Sequence, residues 1–209
     1  MQYLITQSLL SSWLRLWTDF EKYIFDNSEK TAADYQADAY EDFLRVLRRE
    51  PTETTEAMQK GIDFENLVTD ICNGIDCSAH KWYAAAAEVA EEVKGGQFQL
   101  AASAPLRVAG MDFLLYGRLD VLKAGRVIDI KYTSRYEVGK FFDSPQHPMY
   151  IEIVPEAYEF LYLISNGTRV WREEYRREEC RPIADFISEF VAYLDTTGLL
   201  PLYKEKWAA

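Results

Sequence analysis

Tyr116-Gly-Arg-Leu-Asp120 and Val127-Ile-Asp-Ile-Lys131 are the two stretches that decide how this chain is read. Each is an apolar run that delivers an acidic residue, and the second adds a lysine two positions on. Side chains at i and i+2 of a strand point to the same face. Asp129 and Lys131 are therefore expected to project together while Ile128 and Ile130 pack behind them. Between the runs, Lys123-Ala-Gly-Arg126 supplies a glycine at Gly125 where a hairpin needs a turn, which would bring Asp120 beside the second strand. Ionisable residues in otherwise apolar strands need a compensating partner, because an unpaired charge there is costly.

Two carboxylates and an ammonium converging on one sheet edge suit a hard divalent cation with a water beside it, an arrangement that points to metal-assisted phosphodiester hydrolysis. The alternative is a hairpin whose charges face solvent or pair as a salt bridge. An acidic-x-Lys triplet alone decides little, since average composition gives roughly one in a chain of this length. The sequence holds such a decoy in Glu92-Val-Lys94, at the end of an Ala-rich helical stretch with no acidic strand before it. Strand context and the companion Asp120 set Asp129-x-Lys131 apart.

With 209 residues, 48% of them apolar and 14% aromatic, the chain is expected to fold as one globular domain. Its organisation reads as a helical part over about 1–95 and a sheet-containing core over about 96–209. Three cysteines, Cys72, Cys77 and Cys180, form no C-x-x-C pair and suit reduced thiols in the cytoplasm. No apolar run approaches the ~18 residues of a membrane span, and the first residues carry no basic leader, so a soluble protein is expected. The net charge of −11 argues against nucleic acid as a partner. Its distribution argues the other way: residues 117–142 carry six basic residues against three acidic ones. The basic ones are Arg118, Lys123, Arg126, Lys131, Arg135 and Lys140.

Periodicity places a first helix capped by Ser8 and carrying Leu9, Trp13, Leu16 and Phe20, and a second near Ala33 to Arg48. A third is opened by Pro51-Thr-Glu-Thr-Thr and runs through Leu67 and Ile71. A fourth, Lys81 to Lys94, is stopped by Gly95-Gly96. The period then changes to two, with strands over Gln97–Val108, Phe113–Leu122 and Arg126–Tyr132. A helical or irregular segment follows near Arg135–Val154. Tyr158–Ser165 and Thr168–Arg176 read as strands joined by the Asn166-Gly167 turn, and Pro182–Leu194 as a closing helix. The expected fold class is α+β (mixed α/β), a central mixed, mainly antiparallel sheet flanked by helices.

Gly61-Ile-Asp-Phe-Glu65 before the sheet and Gln146-His-Pro-Met-Tyr150 after it complete an ordered set of four motifs. With Gly-Arg-Leu-Asp120 and Asp129-x-Lys131, the chain resembles the PD-(D/E)XK nuclease superfamily, in its RecB-like and phage-exonuclease-like branch, over about Gly61 to Tyr150. The resemblance implies a restriction-endonuclease-like core. It also implies an Mg²⁺ or Mn²⁺ site formed by Asp120, Asp129 and the backbone carbonyl of Ile130, with Glu65 nearby. Lys131 would orient or deprotonate the attacking water. Gln146 and Tyr150 would support the lysine and contact the nucleic-acid strand, alongside Arg118, Arg135 and Lys140.

The chain departs from that pattern where Leu119 stands in place of the proline before Asp120. An iron–sulfur cluster, carried by some relatives on one early and three late cysteines, is not expected, because Cys180 is the only late cysteine and none precedes Cys72. His80 and His147 lack a partner motif and are read as structural or exposed. No phosphate-cradling Gly-x-x-x-x-Gly-Lys loop is present, so an ATP-driven helicase or a recombination protein would be a separate partner. A DNA-hydrolysing exonuclease of recombination, repair or phage replication is the first expectation, and a non-catalytic nucleic-acid-binding module with the same fold is the second. The sequence does not choose between DNA and RNA, nor does it fix polarity or oligomeric state, and it implies no membrane partner.

Overall fold

Paired left-handed residues turn the chain back on itself at two of the places where one strand leads directly to the next. The computed structural model describes residues 1–24 and 29–209. In it β2 (Gln97–Val108) leads to β3 (Met111–Lys123) through Ala109 and Gly110, at φ 49° and 73°. β3 leads to β4 (Arg126–Tyr132) through Ala124 and Gly125, at φ 50° and 76°. Two consecutive positive-φ residues are the signature of the two-residue hairpin turn whose twist matches that of the strands. Strand order is β1-β3-β4-β5-β6, with β2 also on β3. β1 (Gln2–Thr6) runs parallel to β3, and β5 (Glu159–Ser165) parallel to β4. β3 with β4 and β5 with β6 (Val170–Arg176) are antiparallel. The sheet is thus mixed, as expected.

The described chain divides into two compact units. The first comprises residues 1–52, 103–116 and 182–209. Here β1 passes directly into α1 (Gln7–Leu14), whose cap is Thr6: its hydroxyl accepts from the Leu9 amide at 3.3 Å. The sequence had pointed to Ser8, but the helix starts one residue before it. α2 (Ala32–Leu47) is closed at its start by a reciprocal Thr31–Asp34 capping box. α6 (Ile183–Thr196) buries Phe186, Ile187, Phe190 and Leu194, with Phe190 edge-on to Trp13. α7 (Leu200–Lys206) brings Tyr203 to the Leu4 carbonyl at 2.9 Å and is followed by Trp207, whose indole donates to the Leu47 carbonyl at 2.8 Å.

The second unit, residues 53–102 and 117–181, carries every candidate site residue. α3 (Glu56–Cys72), capped by Thr55, and α4 (Tyr83–Val93) cover one sheet face. Phe64, Leu67, Val68, Ala86, Val89 and Val93 pack there against Val121, Ile128, Ile130, Leu161 and Leu163. α5 (Gln146–Ile153) covers the other face, where Tyr150 stacks against Phe160 with ring centroids 6.0 Å apart. β5 is buried along its whole length, which is why it reads as a continuous apolar run instead of an alternating one. Among the described residues no helix is long and apolar enough to cross a membrane.

Candidate metal centre at the parting of β3 and β4

The antiparallel ladder between β3 and β4 runs through Lys123↔Arg126, Leu122↔Val127 and Val121↔Ile128. One more pair in the same register would set Asp120 opposite Asp129, two like charges on neighbouring strands, a destabilising arrangement. The backbone pairing ends there instead. The Ile130 amide donates to Asp120 Oδ2 at 2.9 Å, so a carboxylate takes the place of a carbonyl in the ladder.

Strand parity holds as expected. Ile128 and Ile130 lie in the core beneath α3 and α4, while Asp129 and Lys131 share the opposite face. Asp129 is only 6% exposed. Its Oδ1 accepts from the Gln146 side-chain amide, and its Oδ2 lies 2.8 Å from the Lys131 ammonium. That oxygen is otherwise buried without a directed hydrogen bond. The salt bridge entertained from sequence therefore forms, but it accounts for only one of the acids.

Burial first, then the repulsion of Asp129 and Glu65, holds the Asp120 carboxyl well above the usual carboxylate range, against the opposing pull of the Ile130 amide and Lys131. Glu65, half-buried on α3, is raised by burial and by Asp129, with Arg118 and Lys131 acting in the opposite sense. Burial works against the Lys131 charge, but Asp129, Asp120 and Glu65 outweigh it and keep the ammonium pKa above its ordinary value. Three acids thus feel one another around one half-buried lysine.

The donor chemistry suits a divalent cation: carboxylate oxygens are hard ligands, and one of them, Asp129 Oδ2, is buried with the Lys131 ammonium as its partner. The side chains are not closed around a point. Asp120 turns to the Ile130 amide and Asp129 to Gln146 and Lys131. Among the described residues no group of three or more His, Cys, Asp or Glu is arranged to hold an ion. At Ile130 the group engaged is the amide; the resemblance assigns the carbonyl.

The supporting residues differ from the sequence reading in what they hold. Gln146 is buried against Asp129 and not against Lys131. Tyr150 is buried as well, and its hydroxyl donates to the Arg118 carbonyl at 3.1 Å, so it braces β3 and does not reach outward. Gly117 is what lets it in: a Cβ there would lie 2.2 Å from Tyr150 Cε1. The local basic excess also shrinks. Lys123 donates to the Glu92 carbonyl, and Arg126 pairs with Glu92 at 3.0 Å and Glu159 at 2.7 Å. Glu92, from the decoy triplet, is the anchor of this ordinary ion-pair network. Arg118, Arg135 and Lys140 remain exposed in the unit.

Two residues escaped the sequence reading. Gln99 sits within β2 at φ 54°, an uncommon conformation for a side-chain-bearing residue, and its amide donates to Glu65 Oε1. Glu173, buried on β6, accepts from Tyr136, Tyr175 and the Phe141 amide. Neither belongs to a motif, and a lone polar residue in a strand carries no signal of its partner. His147 is buried too, its ring stacked 4.0 Å from that of Tyr175, and burial pushes its pKa down to about 4.

No family model matches this chain, and no curated protein matches it in sequence. Among solved structures, the crystal structure of SSO0001 is similar, with a TM-score of 0.53 and 12% identity over 94% of this chain and 77% of that one. At that identity the likeness is one of fold.

Proposed function

We propose that this chain is a metal-dependent nuclease that hydrolyses phosphodiester bonds of DNA, of the exonuclease kind used in recombination, repair or phage replication. The observation that carries the reading is the meeting of Asp120, Asp129 and Glu65 with Lys131 where β3 and β4 part. A salt bridge with Lys131 uses one acid, Asp129; a bound cation would relieve the repulsion that raises the pKa of Asp120 and Glu65. Asp120, Asp129 and Glu65, with the Ile130 carbonyl, would hold Mg²⁺ or Mn²⁺. Such an ion would neutralise phosphate charge and lower the pKa of a bound water.

The chain's own groups have distinct tasks in this reading. Lys131, whose ammonium lies 2.8 Å from Asp129 Oδ2, would orient the attacking water and stabilise charge developing on the phosphate. Gln146 fixes the Asp129 carboxylate, Tyr150 braces β3 through the Arg118 carbonyl, and Gln99 holds Glu65. Arg118, Arg135 and Lys140 would meet the phosphate backbone. The three cysteines are unbridged, which supports a cytoplasmic place of action.

A second reading, a nucleic-acid-binding module without chemistry, draws on the engagement of the Asp120 and Asp129 carboxylates by protein donors. Incubation of end-labelled single- and double-stranded DNA, and of RNA, with Mg²⁺ or Mn²⁺ separates the two. The nuclease reading expects chelator-sensitive cleavage by the wild type that is lost in Lys131→Ala. Binding without cleavage by the wild type favours the module.

A further inference from the structure

Residues 133–145 leave the candidate site at the end of β4 and return to it at Gln146. This loop is tied down at several points. Glu173 accepts from the Tyr136 hydroxyl at 2.6 Å and from the Phe141 amide at 3.2 Å. The Phe141 ring stacks on buried Tyr162 at 4.5 Å and 18°, and the Tyr136 ring rests on Trp171 at 5.3 Å. Lys140 closes the loop on itself, its ammonium 3.3 Å from Thr133 Oγ1 and 3.4 Å from the Arg135 carbonyl. Phe141 is thus spent on holding the loop, while its neighbour Phe142 points outward, 70% exposed, with Val138 91% exposed nearby in sequence.

An aromatic side chain held out by a braced loop offers a flat apolar face with little ordering left to pay on binding. Lys140 and Arg135 lie in the same loop, together with Glu137 and Asp143, and the loop is covalently continuous with Lys131 on one side and Gln146 on the other. An exposed ring whose neighbour Phe141 stacks on Tyr162, the strand partner of Asp129, in a loop that also carries basic residues, matches how proteins hold single strands, with bases stacked on aromatics and phosphates on basic groups.

We infer that Phe142 is a stacking platform for an unpaired base of the strand entering the site. The substrate class is then DNA with unpaired nucleotides, either single strands or frayed and overhanging ends, and not intact blunt duplex. This inference rests on the nuclease reading of the site.

The test is fluorescence anisotropy of a labelled single-stranded oligonucleotide and of a blunt duplex of the same sequence, with Ca²⁺ present to support binding. Wild type, Phe142→Ala and Phe142→Trp are compared, with Mn²⁺ titration and thermal melting of each protein alongside. Phe142→Ala is expected to weaken single-strand binding roughly 5- to 150-fold, the range of one stacked base, with duplex binding, Mn²⁺ affinity and melting temperature unchanged. Phe142→Trp should restore it. Equal losses on both substrates, or none, would overturn the platform. If Mn²⁺ binding and cleavage persisted in that case, the nuclease reading would survive. A wild type that bound neither Mn²⁺ nor nucleic acid would remove both. Self-association abolished by Phe142→Ala would make the tip a contact between copies of the chain and would likewise overturn the inference.

Discussion

Replacing Gly117 by alanine probes the packing on which the candidate site stands. The three atoms nearest to an added Cβ all belong to Tyr150, at 2.2, 2.8 and 3.0 Å, the first far inside ordinary contact. Tyr150 is buried on α5, four residues after Gln146, so its ring cannot yield without moving the helix that holds Asp129. Overpacking of this kind costs about 1–3 kcal/mol. For a chain of this size that lowers the melting temperature by roughly 2–12 °C. Tyr150→Ala alone should cost more, about 3–5 kcal/mol, by emptying a buried aromatic site. In the double variant the alanine Cβ meets no ring, so the cost should fall back to about that of Tyr150→Ala. The coupling energy is then about −1 to −3 kcal/mol. Urea unfolding of the four proteins measures it. Additive costs would refute the claim that Gly117 is glycine because Tyr150 lies over it.

Gln99→Gly removes a left-handed side-chain-bearing residue, so stability should hold or rise by up to about 1 kcal/mol while Mn²⁺ affinity falls as Glu65 loses its donor; a calorimetric titration beside a melting curve separates the two effects. Burial holds His147 neutral in the folded chain and pushes its pKa down to about 4, from the ordinary imidazole value of about 6.5. Between those values the unfolded chain binds the extra proton, so its contribution is complete above pH 6.5 and is lost as pH falls toward 4, by about 3 kcal/mol at most. Chemical denaturation from pH 7 to 4 should show a steeper loss in the wild type than in His147→Phe. Arg177 donates to the carbonyls of Ile151, Val154, Pro155 and Ala157 at the end of α5, and Arg177→Lys, which cannot span them, should lower the melting temperature measurably.

Local chemistry made much of the fold legible. The glycine-bearing turns at 124–125 and 166–167 and the change of hydrophobic period give β2 and β4 their observed limits and place β3, β5 and β6 within a few residues. β1 carries little pattern because only Ile5 of its five residues is fully buried, and their partner, Gln2↔Asp112 onward, lies over a hundred positions away. α7 is a seven-residue helix with proline near its start, and its place depends on Tyr203 and Trp207 finding distant carbonyls. At the candidate site, strand parity gave Asp129 and Lys131 a common face from sequence alone. What Gln146, Tyr150, Gln99 and Glu173 hold depends on tertiary packing, which no spacing encodes.

Calorimetric titration of Mn²⁺ into the wild type and Asp120→Asn tests the central claim most directly. Asparagine preserves the size of the side chain and can still accept from the Ile130 amide, but it removes the charge that Asp129 and Glu65 oppose. The account expects the wild type to bind Mn²⁺ and Asp120→Asn to lose that binding, while melting no lower than the wild type in the absence of metal because a buried repulsion is gone. A wild type that binds no ion, or an Asp120→Asn variant that binds Mn²⁺ unchanged, would contradict it.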